Sequence, residues 1–149
     1  MKPLIVLLSA FVISIIAIKL STDKYTIAFA AIIAMSVMLL FTSIAHFTFT
    51  KGMTMMIPVF IPFKKEFVYF TGIIEIAAAI GLLIPNFRLL TAWFLIVFFI
   101  LMLPANINAA IQHIDYQKAT SKGAGTKYLW FRVPLQILFI LWVYFAAIK

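Results

Sequence analysis

Five stretches of almost unbroken apolar residues divide the chain: Leu4 to Leu20, Ile27 to Phe49, Phe67 to Pro85, Leu89 to Ile111 and Leu129 to Ile148. A helix rises about 1.5 Å per residue and a bilayer's hydrocarbon core is about 30 Å thick, so a crossing takes about 20 residues. Each stretch is near that length. The pattern predicts an all-α transmembrane bundle of five helices, a single integral-membrane domain over 1–149 with nothing left for a soluble domain. The first stretch has Lys19 close enough to its end to snorkel toward headgroups. Its long apolar core, with no small-x-small site before Ser21, predicts a retained helix rather than a cleaved signal. Ser21 to Thr26, carrying Asp23 and Lys24, is expected to be a short hairpin connection, and Pro85-Asn86-Phe87-Arg88 a tight turn.

Two connections are longer. Thr50 to Glu66 holds Pro58 and Pro62 among apolar neighbours, which suits a segment lying in the membrane interface. Gln112 to Tyr128 is polar, and its Thr120 to Thr126 portion reads as a flexible turn region. The glycines there lack Walker or dinucleotide spacing, so no phosphate-binding role attaches to them. No repeat of fixed period appears, and an odd number of helices argues against a simple inverted-repeat transporter.

Composition agrees with lipid as the main solvent. Hydrophobic residues make up 66% of the chain and charged ones 11%, too little polar surface to cover a soluble globule. Lys2, Lys51, Lys64, Lys65, Lys118, Lys122, Lys127 and Arg132 fall on one side of the expected topology, against Lys19, Lys24, Arg88 and Lys149 on the other. The positive-inside rule then puts the N-terminus in the cytoplasm and the C-terminus outside a cell membrane, in bacteria the inner membrane. The net charge of +8 reflects topology and attraction to anionic lipid; nucleic acid is not an expected partner.

Against this background a few polar residues stand out. Glu75 sits near the middle of the third stretch, where a charge costs about 2.5–3.5 kcal/mol on insertion scales and persists only with a partner or a task. It lies about 13 Å in from Glu66. His46 lies near the end of the second stretch, Asn106 and Asn108 near the end of the fourth, and Arg132 and Gln136 at the start of the fifth. All fall in the same half of the bilayer, so His46, Glu75, Asn106, Asn108, Arg132 and Gln136 are the candidate lining of a polar pocket. Thr42 and His46, Thr71 and Glu75, and Arg132 and Gln136 are each four apart and share a face. Asn106 and Asn108 are about 200° apart, so at most one points inward. Pro104 frees the carbonyl of Ile100, for which an Asn side chain is the expected donor. Gly72, Ala77, Ala78, Ala79 and Gly81 let neighbouring backbones approach around Glu75.

Each of these residues also has a plainer reading. Asn106, Asn108 and Gln136 suit interhelical hydrogen bonds worth about 0.6 kcal/mol each. Glu75 with Arg132 suits a structural ion pair as well as a pocket. His46 suits a hydrogen-bonded side chain, and His113, beside Asp115, a solvated one. Without cysteine there is no thiolate, disulfide or iron–sulfur chemistry. Two distant histidines make a metal site unlikely on ligand number, and Met53, Met55 and Met56 alone are weak grounds for Cu(I). No hydrolase elbow or zinc-protease helix is present, which leaves acid–base chemistry by Glu75 and His46, or binding of something partly polar.

Several motifs in order carry a family resemblance: Phe41-Thr42-Ser43-Ile44-Ala45-His46-Phe47; Ile57-Pro58 and Ile61-Pro62; Thr71-Gly72-Ile73-Ile74-Glu75-Ile76 with Gly81-Leu82-Leu83-Ile84-Pro85; Pro104-Ala105-Asn106-Ile107; and Arg132-Val133-Pro134-Leu135-Gln136. Over about residues 27–148 the chain resembles the DoxX-like membrane proteins. The resemblance implies a four-helix core, to which Leu4 to Leu20 adds an N-terminal helix. Members look like subunits or partners of membrane redox systems, including the small subunit of a thiosulfate:quinone oxidoreductase, and related animal proteins act as receptor assembly chaperones. The implied function is a redox-associated subunit or accessory protein whose intramembrane pocket holds a quinone-like or other small amphipathic ligand. The alternative is a non-enzymatic assembly factor, with a membrane protein partner, in which the polar residues only lock the bundle. No cofactor and no self-contained catalytic motif are legible, so any electrons must be carried by a bound quinone or a partner.

Overall fold

The computed structural model describes residues 2–22 and 26–149, with Thr22 described in its backbone only. Asp23 and Lys24, expected in a hairpin connection, lie outside the described residues. Six α-helices account for most of the chain: α1 (Lys2–Thr22), α2 (Ile27–Thr48), α3 (Thr50–Met56), α4 (Lys64–Leu83), α5 (Pro85–Ile111) and α6 (Leu129–Val143). A 3₁₀ turn, Gly125–Tyr128, leads into α6, and a π turn, Tyr144–Ile148, closes it. No strand occurs among the described residues; Asp115 and Thr120 form an isolated antiparallel bridge. Five helical segments are long and apolar enough to cross a membrane: Lys2–Ser21, Ile27–Thr48, Lys64–Leu83, Pro85–Ile111 and Gly125–Ile148. The protein is an all-α, five-span membrane bundle.

Helix α2 is the hub, packing most extensively on α1 and α4, while α5 fills the space between α4 and α6. In α4 the buried positions are Val68, Thr71, Gly72, Glu75, Ala78, Ala79 and Leu82. Steps of three and four keep these on one face. Lipid does not drive apolar helices together, so close backbone approach has to supply packing. Gly72 supplies it beside His46: a Cβ there would lie 2.8 Å from the Cβ of His46. The core itself is built from Leu7, Met35, Met38, Leu39, Leu82, Leu95 and Phe99 with neighbours of similar character. On the far side, Trp142 of α6 donates its indole N–H to the Ala31 carbonyl at 3.0 Å and meets the Phe11 ring edge-on. That ties the last span to the first two.

Three sequence expectations need correction. The Pro85–Arg88 segment is the first turn of α5, because Pro85 sits at a helix N1 position where its missing N–H would be unpaired anyway. Only Ile84 separates α4 from α5, and the Arg88 Nε donates to the Leu82 carbonyl at 3.0 Å, capping the end of α4. The Thr50–Glu66 connection is partly helical: α3 follows α2 after one residue, and α4 begins at Lys64 rather than Phe67. The 112–128 connection, read as flexible, is folded. The Asp115 carboxylate accepts from the backbone N–H of Gln117 and Lys118 at 3.0 and 3.2 Å, and the Gly123 N–H bonds the His113 carbonyl. Gly52 of α3 lies so close to the Tyr116 backbone that a Cβ would overlap its carbonyl oxygen. This contact holds the connection down over the end of the bundle.

Candidate functional site

The end of the bundle so covered encloses a cavity of about 720 Å³. Its walls are apolar, with Met38 and Phe41 from α2, Phe98 and Phe99 from α5, and Leu135 and Phe139 from α6. The covering connection contributes Asp115, Tyr116 and Gln117 at the rim, beside Lys2 at the start of α1. Of the six residues singled out from sequence, His46, Glu75, Asn106, Arg132 and Gln136 line this cavity and Asn108 does not.

His46 and Glu75 form its polar centre. Glu75 is 8% exposed, and its Oε2 is 3.5 Å from His46 Nε2. His46 Nδ1 lies 3.0 Å from the Val68 carbonyl oxygen and 3.1 Å from the Thr71 hydroxyl, whose own hydrogen goes to the same carbonyl at 2.9 Å. A carbonyl only accepts, so Nδ1 carries a hydrogen and donates it to Val68; a lone pair there would oppose another lone pair. Nε2 then faces the carboxyl group. The Glu75 Oε2 is buried with no hydrogen-bond partner among the described residues. His46 is the partner that Glu75 has at this depth, where an ionisable group persists only with a partner or a task. At 3.5 Å the contact is longer than a formed hydrogen bond, so the pair is incompletely hydrogen-bonded.

The expected partnership of Glu75 with Arg132 is therefore corrected to Glu75 with His46. Arg132 donates to the Tyr128 hydroxyl at 3.3 Å and rests over the Tyr128 ring, 5.6 Å from its centroid. One turn of α6 separates these two residues, so the ring holds the guanidinium beside its own helix start, facing the cavity rim. The Gln136 amide, reaching across from α6, donates to the carbonyl of Phe99, the residue before Ile100, and accepts from Asn106 Nδ2 at 3.1 Å. Asn108 points elsewhere, as its angular separation from Asn106 requires. It donates to the Met56 carbonyl at 2.8 Å and accepts from Gln112 at 3.0 Å, fastening α3 to α5.

His113, read as solvated, is exposed but rests its ring on Gly125, where a Cβ would meet Nε2 at 2.4 Å. Met53 and Met56 line the cavity. Among the described residues no group of three His, Asp or Glu is arranged to hold a metal ion. Thr71 as the orienting group for His46, and the rim from the 112–128 connection, were missed in the sequence. The spacing of Thr71 from Glu75 placed it on the right face, whereas nothing local foretold that a polar connection would close the cavity. No curated protein and no solved structure matches the chain. Residues 35–147, from the middle of α2 to the last turn and without α1, match the family described as domain of unknown function DUF8561, and the protein belongs to that family.

Proposed function

We propose that the protein binds a small, partly polar amphipathic molecule, quinone-like in its combination of an apolar body with hydrogen-bonding groups, inside the membrane-spanning bundle. On this reading it serves as a redox-associated subunit or accessory protein, as its resemblance to DoxX-like proteins suggests, with its N-terminus in the cytoplasm. The observation that carries the reading is the His46–Glu75 pair, buried and incompletely hydrogen-bonded in the wall of an apolar cavity. A cavity of about 720 Å³ falls within the roughly 300–1,000 Å³ of small-molecule sites, and apolar walls with a few convergent polar groups are their usual build. A purely structural pair would be expected to complete its hydrogen bonds. Solvent extraction of protein purified in maltoside, followed by mass spectrometry, should release about one small molecule per chain, reduced at least tenfold in Glu75→Ala. Absence of any such molecule from wild-type protein reconstituted with total membrane lipid would refute the reading.

The assembly-factor reading draws on different bonds. The Asn106–Gln136–Phe99 and Asn108–Met56 links are complete and cross between helices, which is what locking residues do. These serve the bundle under either reading. They leave the His46–Glu75 pair unaccounted for.

A further inference from the structure

The charges around the cavity are unequally paired. Glu75 has His46 as its partner at 3.5 Å. Asp115 at the rim is turned to its own loop, accepting from two backbone N–H groups. Asn106 and Gln136 satisfy one another and the Phe99 carbonyl. Arg132 is different: it is half-buried, lines both this cavity and the small one beside it, and has no carboxylate partner among the described residues. Among the described residues its one hydrogen bond is to the Tyr128 hydroxyl, and a guanidinium has five N–H donors in a fork shaped for carboxylate or phosphate. The Tyr128 ring stacks against it and limits its motion, so the fork is held ready rather than free to wander into water.

Resting on the reading that the cavity holds an amphipathic ligand, we propose that this ligand is an anion whose acidic headgroup sits on Arg132 at the rim, with a single apolar body running inward past Phe98, Phe99 and Phe139 toward Glu75. Lys2 adds positive charge on the same rim. At the inner end the His46–Glu75 pair is already matched and its neighbours Met38, Phe98, Phe99 and Phe139 are apolar, so this end suits an apolar tail or one uncharged polar atom. Carboxylate and phosphate monoester heads share the chemistry that Arg132 recognises.

The test is saturable binding of radiolabelled dodecanoate to the full chain in maltoside, with unlabelled dodecanoate, dodecyl phosphate and dodecanol as competitors. Displacement by both anions, with dodecanol at least tenfold weaker, is expected. The better of the two anions identifies the natural head. Arg132→Gln should lower dodecanoate affinity at least tenfold while leaving dodecanol unchanged, and Arg132→Lys should fall between. Lys149→Gln, which removes an exposed positive charge from the C-terminus, should match wild type. If dodecanol competes as well as dodecanoate, the anion proposal is overturned and the ligand cavity stands. If no probe binds saturably to folded protein, both fall. Should Arg132→Gln not fold by gel filtration, the competitor ranking on wild-type protein still decides.

Discussion

A lone charge at the depth of Glu75 is costly, and His46, oriented by Thr71 and the Val68 carbonyl, is the partner that meets it. Removing one member of a buried pair typically costs about 3–5 kcal/mol because the other is stranded, whereas replacing both with apolar residues is often near neutral. His46→Leu should therefore destabilise the protein by about that much, and His46→Leu with Glu75→Leu should recover most of the loss, as read by thermal unfolding in maltoside. Equal losses in the single and double variants would show that the two side chains are not coupled. On the proposed ligand-binding reading, the recovered protein should retain no small molecule. Glu75 itself was legible from sequence because its surroundings are so apolar. Its partner was not, since both His46 and Arg132 lay in reach by depth alone.

At the scale of elements, glycines set which segments touch. Gly72 lets α2 and α4 meet at His46, and Gly52 lets α3 meet the 112–128 connection. In the second case the obstacle is backbone, the Tyr116 carbonyl, which cannot rotate aside as a side chain could. Gly52→Ala should push the connection off the cavity rim at a cost of about 1–3 kcal/mol, the usual range for overpacking. Trypsin cleavage after Lys118 and Lys122, both exposed, should then become several-fold faster in the folded protein. Unchanged cleavage would mean the connection is held by other contacts. The hydrophobic pattern marked the long helices well, because length and apolarity together define a crossing. It blurred the joins. Pro85 reads equally as a turn residue or as a helix start, and α3 is too short for its pattern to stand out from the loop around it.

Across the whole molecule, α2, α4, α5 and α6 bring polar residues together at the end where α1 begins. The lipid-facing surface is correspondingly apolar, with Trp130, 86% exposed, at the start of α6. Eight Lys and Arg residues against four fall on the cavity's side of the expected topology. The chain has no cysteine, so a single introduced thiol reports on sidedness cleanly. Ser121→Cys should react with a membrane-impermeant maleimide only after the cytoplasmic face is exposed, and Asn86→Cys should react from outside in intact cells. The reverse pattern would invert the topology and place the cavity mouth on the external face.

Sequence alone determined the solvent and the architecture. Runs of apolar residues near bilayer length leave the backbone only the helical solution, because every N–H and C=O must be satisfied within its own span. It also determined the depth of each polar residue, since helical rise is constant. Tertiary structure decided which polar residues meet. Rotation about each helix axis and the tilt of neighbours are set by side-chain packing between spans distant in sequence. That packing chose His46 for Glu75, sent Gln136 to Phe99, turned Asn108 away to Met56, and set Arg132 in the cavity lining against Tyr128.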